Sequence, residues 1–178
     1  EIVEIDQELE GLAGRGGSVR GSGGMSSKLA AAKIASWSGV RTVIADAGRT
    51  GVMVDSCNGV AGVGTVVRAR EATLGARRLW IAFAVGSSGR ITVDAGARRA
   101  LEERRVSLLP AGVVAVEGSY EAGSAVEVCD VEGAVFAKGI VKHDAGLLRA
   151  HLGRRSVELP EGMAHEAIHA DDLVVLPT

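Results

Sequence analysis

Between Ser26 and Ser38 the apolar positions recur at helical spacing. Leu29, Ala32, Ile34, Ala35 and Trp37 fall mostly on one side, and Gly39 stands where such a helix stops. The period then changes. Val40-Arg-Thr-Val-Ile-Ala45 is a β-branched run, read as a buried strand that ends in the turn-rich loop Asp46-Ala-Gly-Arg-Thr-Gly51. A short helix is expected within 52–61 and another strand at Gly64-Thr-Val-Val67. Helix, glycine and strand in succession predict an α/β sandwich with at least some parallel sheet. Ahead of these elements, Ile2, Val3 and Ile5 form a short apolar start, and residues 13–24 read as a Gly/Ser/Arg loop.

After Arg70–Leu79 and the apolar Trp80-Ile-Ala-Phe83, the stretch Gly86-Ser-Ser-Gly89 interrupts the pattern, and a domain boundary is expected there. This divides the chain into 1–85 and 86–178. The second part opens with Ile91-Thr-Val-Asp94 and a helix over Ala95–Arg105, with Ala97, Ala100 and Leu101 on one face. Short strands follow at Val113–Glu117, Ala125–Cys129, Val135–Val141 and Leu173–Leu176, with a second helix over Ala145–His151. Gly118, Gly123, Gly133 and Gly139 punctuate them, which predicts a small, mostly β barrel.

Composition narrows the class. The chain has 178 residues, 47% hydrophobic but only 3% aromatic, so its cores are built from Ala, Val, Leu and Ile. Its net charge of −2 offers no global attraction for nucleic acid or an anionic membrane. No apolar run approaches the roughly 20 residues that span a bilayer, and the acidic start Glu1-Ile-Val-Glu-Ile-Asp6 is unlike a secretion signal. Two distant cysteines, Cys57 and Cys129, make a disulfide framework or zinc site improbable and point to a reducing cytoplasm. The chain begins without methionine on what reads as the middle of a folded unit, so a fragment is expected.

The richest chemistry lies in Gly21-Ser-Gly-Gly-Met-Ser-Ser-Lys28, immediately at the start of the first helix. Glycines let a backbone approach a ligand closely. Free N–H groups at a helix start carry the positive end of its dipole, and a lysine one turn in adds a full charge. Together these suit an anionic phosphate. A plain glycine-rich turn capped by Ser26 or Ser27, with Lys28 solvated, is the blander reading of the same residues.

This octet, with Leu29-Ala-Ala-Ala-Lys-Ile-Ala35 after it, resembles the GTGGMxTK segment of the amino-acid kinase family. The branch in question phosphorylates the side-chain carboxylate of L-glutamate and carries a C-terminal PUA domain. Gly39–Ala45 and Gly64-Thr65 are similar to later kinase-domain segments, and Arg77-Arg-Leu-Trp-Ile81 to the junction. Ile91–Ala97, Ser107–Gly112 and His169-Ala-Asp-Asp172 resemble stretches of the PUA domain. Ser22 and Ser27 replace threonines with the hydroxyl kept, and Ala170 replaces an arginine. The family's upstream strand, glycine-lysine phosphate loop and glutamate-binding segments are not found in residues 1–178. The resemblance implies a partial kinase α/β sandwich over 1–85 followed by a PUA barrel over 86–178. It implies transfer of the ATP γ-phosphoryl, with Mg²⁺, to L-glutamate, giving γ-glutamyl phosphate for proline synthesis, in a homo-oligomer. Ser22, Gly23, Gly24, Met25, Ser26, Ser27 and Lys28 would hold the nucleotide, Lys28 acting catalytically, and this stretch names no Mg²⁺ ligand. The part in hand is expected to be inactive by itself.

Other residues carry plainer expectations. Asp46 reads as a loop cap at least as readily as a nucleotide contact. Arg77-Arg78 reads as a solvated junction, and Asp171-Asp172 as a solvated strand start. His143, His151, His165 and His169 lack metal-ligand spacing. PUA domains elsewhere bind structured RNA, so an RNA-associated module with a non-catalytic kinase remnant is the alternative function. Residues 89–166 hold 10 Lys/Arg against 12 Asp/Glu, and Tyr120 and Phe136 are the aromatics there. Neither a basic surface nor a stacking platform is evident, so RNA is not favoured.

Overall fold

The computed structural model describes Ile5, residues 24–71 and residues 73–176. Ser22, Gly23, the apolar start before Ile5 and the loop over 13–23 lie outside the described residues. The chain divides into two compact units, 1–75 and 76–178.

The first unit contains α1 (Met25–Trp37), β1 (Thr42–Ala45), α2 (Val52–Cys57) and β2 (Gly64–Val67). Helix α1 buries Leu29 and Ala32, which join Ile5 and Val67 in a small core. Gly39 ends it as the sequence suggests: at φ +78° it lets the Val40 N–H reach back to the Ala35 carbonyl at 2.8 Å. The helix end is tied to the chain beyond β2. Ser36 Oγ donates to the Arg68 carbonyl at 2.6 Å, and the Arg70 guanidinium lies 4.3 Å above the Trp37 ring. β1 and β2 pair antiparallel, Thr42 opposite Val67 and Ala45 opposite Gly64, so the parallel pairing that the sequence pattern expects somewhere in the sandwich is not made by these two strands. The cause is α2. It has no buried residue, so it does not cover the sheet as a crossover helix must, and the chain folds back beside β1.

The second unit starts earlier than expected. A short helix α3 (Ala76–Leu79) runs into a π-helical turn at Trp80–Ala84, followed by β3 (Gly89–Val93), α4 (Ala95–Arg104) and β4 (Val113–Gly118). Then come β5 (Ala125–Cys129), β6 (Val135–Val141), α5 (Ala145–Ala150) and β7 (Ile168–Val175). The sheet order is β4-β3-β5-β6-β7, with β3 and β5 parallel and the other pairs antiparallel. Leu108 also bridges Ile168 at the start of β7, drawing the sheet towards closure. Ile91, Val93, Leu101, Val126, Val128, Phe136, Leu148 and Ile168 fill the interior.

β6 is buried on both faces from Phe136 to Val141, because α3 and the π-helical turn pack over its outer side and over β7. Ile81 in that turn is fully buried. This packing is why the break between units falls at Gly75/Ala76, ahead of Gly86–Gly89. The segment is also fixed by charge. Asp172, buried within β7, accepts from Arg77 Nε at 2.8 Å and pairs with Lys142 Nζ at 3.0 Å. The expectation that Asp171-Asp172 merely starts a strand in solvent is therefore corrected for Asp172, and Arg77 is correspondingly engaged. Lys138 Nζ donates to the Val85 carbonyl. Burial lowers the Lys138 pKa, with Glu127 on the neighbouring strand opposing that shift.

Candidate nucleotide-phosphate site

Helix α1 begins at Met25 with Gly24 as its extended N-cap, and no side chain caps the first amides. Ser27 turns its hydroxyl backward, donating to the Gly24 carbonyl at 2.9 Å. Met25, Ser26, Ser27 and Lys28 are all exposed, Leu29 being the first residue to enter the core. The first turn carries no acidic residue. The serine-capped turn considered from sequence is thus not what forms. The helix start presents uncapped N–H groups, a glycine without Cβ and an exposed ammonium on one turn. A cation there opposes the helix dipole, a cost of about 0.3–1 kcal/mol that an anion at the same end reverses.

Asp46 follows its local reading, accepting the Gly48 N–H at 2.9 Å in an Asx turn. Arg49 pairs with Asp55 at 3.1 Å and donates to the Gly62 carbonyl at 3.3 Å, which ties the two ends of the α2 loop together. Among the described residues no three His, Cys, Asp or Glu side chains converge where a metal could be held. No helix among the described residues is long and apolar enough to cross a membrane.

In the second unit, Asp94 caps α4 by accepting the Ala97 N–H at 2.7 Å. A cavity of about 380 Å³ lies beside this helix, walled mainly by Ala97, Ala100, Leu101, Val106, Leu108 and Ala111. Arg98 is engaged with Glu102 and Asp130 and lies over the Phe136 ring. Tyr120 and Phe136 are both buried in the core, so neither ring is presented to a base. Among the described residues the Tyr120 hydroxyl has no hydrogen-bond partner, and burial, partly opposed by Arg149, pushes its pKa up to about 12. His143 places Nε2 3.0 Å from the Ala164 carbonyl and His151 places Nδ1 2.8 Å from the Leu147 carbonyl, both local structural roles.

The mixed sheet with one helix after its first strand defines the second unit's class: residues 89–163 match the family model described as PUA domain. Over its length the chain is similar to glutamate 5-kinases. It is 41% identical over 178 residues to the one from Syntrophotalea carbinolica, covering 98% of this chain and 48% of that protein. It is 42% identical over 176 residues to the one from Mycolicibacterium gilvum, covering 99% of this chain and 46% of that protein. The chain thus spans about half the length of the curated relatives it matches. A crystallised PUA domain from Aeropyrum pernix K1 aligns with a TM-score of 0.36 at 27% identity, covering 52% of this chain and 49% of that one.

Proposed function

We propose that this chain supplies the ATP-binding side and the PUA domain of a glutamate 5-kinase, which phosphorylates the γ-carboxylate of L-glutamate in proline synthesis. The observation that carries the reading is the start of α1, with uncapped amides, Gly24 and exposed Lys28 together on one turn. Its support is the likeness to glutamate 5-kinases over both units. The acceptor is already an ionised carboxylate, so the reaction needs no general base. Its demands are alignment and neutralisation of charge on the transferred group. The amides of residues 24–27 would hold phosphate oxygens, and Lys28 would follow the charge as phosphate moves between partners. Mg²⁺ supplies further neutralisation when it accompanies ATP.

The test uses a non-hydrolysable ATP analogue with Mg²⁺, titrated into the chain by calorimetry. Binding that disappears in Lys28→Ala, with the far-ultraviolet dichroism unchanged, is the expected result. Within a polypeptide of the relatives' full length, the same change should lower turnover by about 10²–10³-fold. Equal affinity and near-normal turnover in the variant would remove Lys28 from the reaction.

The PUA match supports a second reading, an RNA-associated module with a non-catalytic kinase remnant. It is the weaker, since the Tyr120 and Phe136 rings are buried and Arg98 is occupied by carboxylates. RNA affinity falling steeply with salt would favour it.

A further inference from the structure

β4 lies at one edge of the five-stranded sheet. Its sequence, Val113-Val-Ala-Val-Glu-Gly118, is rich in β-branched residues, with a single charge and no proline. Val114 is exposed. Such a segment on an open edge is a template for another strand. In an antiparallel ladder, successive carbonyls point alternately towards and away from the partner. The Glu117 carbonyl faces β3, standing where a Cβ on Gly89 would collide with it. The carbonyls of Val116 and Gly118 therefore face outward.

These two acceptors, at the C-terminal end of β4, are taken by one side chain. Arg149 Nε donates to the Val116 carbonyl at 3.1 Å, and its terminal nitrogen donates to the Gly118 carbonyl. The guanidinium fork matches the two-residue repeat of the strand edge. Arg149 is held there by α5, whose Asp144 cap accepts the Leu147 N–H at 2.8 Å. Ala145 and Leu148 anchor the same helix in the core.

We propose that Arg149 is an edge guard, occupying the outward carbonyls of Val116 and Gly118 so that a second copy of this chain cannot add its own β4 there. The second copy is the natural intruder. It carries the same Val-Val-Ala-Val run, and antiparallel pairing about a twofold axis would satisfy both edges at once.

The whole chain serves for the test. Arg149→Met keeps the apolar stem and removes the donors, while Arg149→Lys keeps the charge without the fork. Sedimentation velocity over a concentration series reads association, and circular dichroism reads the fold. Arg149→Met is expected to self-associate at least tenfold more tightly than the unchanged chain, and Arg149→Lys in the same direction to a smaller extent. Adding Val114→Lys, a charge on the exposed edge, should return Arg149→Met to the parent's state. Three results overturn the proposal: Arg149→Met folded at the parent's mass, association indifferent to Val114→Lys, or loss of the fold in both Arg149 variants, which would make Arg149 a brace.

Discussion

Single side chains in this molecule act against their local preferences where a partner makes up the difference. Asp172 shows it most clearly. Burial alone would push its pKa up, yet hydrogen bonds and charge from Lys142 and Arg77 leave it below the ordinary carboxylate value. The unfolded chain then takes up that proton more readily than the folded one. The stabilisation is complete above the unfolded value, near pH 4, and drains away as pH falls through the folded one. Asp172→Asn should cost about 1–3 kcal/mol at neutral pH, and the gap from the parent should narrow in acid. Urea denaturation at pH 7 and pH 3 measures both, and an undiminished gap at pH 3 would dismiss the ion pairs as its source. The sequence offered no warning of this carboxylate's burial. His169-Ala-Asp-Asp172 reads as polar, and the cations that cover it come from Arg77 and Lys142, far away along the chain.

Elements whose signal is local were legible. α1, with its Gly39 stop, and the glycine-bounded strands β5 and β6 fall where periodicity and turns put them. What escaped depends on distant packing: the first five residues of β7, from Ile168 to Asp172, and the direction in which β2 returns beside β1. Gly64 makes that return possible. A Cβ there would overlap the Ile44 carbonyl oxygen and stand 2.9 Å from Ala45 Cα. Gly64→Ala should destabilise the first unit by about 2 kcal/mol or more, because backbone rather than a pliable side chain must give way. Hydrogen exchange of the Val43 to Ala45 amides reports it directly: protection unchanged from the parent would mean the ribbon tolerates the methyl. At the candidate site the absence of a serine cap was not legible. Ser26 and Ser27 carry the capping side chain, and only the structure reveals that Gly24 takes the cap position.

At the scale of the whole molecule, the glycine-serine stretch at 86–89 looked like the seam, and the packing break lies ahead of it. Composition marks where a chain is pliant, whereas the extent of a folded unit depends on what its surfaces cover. The π-helical turn belongs to the second unit because Ile81 is sealed against it. Ile81→Ala should therefore cost that unit about 2–5 kcal/mol, the usual toll for emptying a buried aliphatic site. A urea midpoint for the second unit that does not move would return residues 76–85 to the linker.

Each unit also holds its own tryptophan. Trp37 is buried under Arg70, and Trp80 rides half-exposed on the turn that carries Ile81. The protein is consequently born with two optical reporters of different hue: a shielded, blue-emitting indole for one body and a hydrated, redder one for the other. Intrinsic fluorescence at two wavelengths can follow the melting of each without any dye.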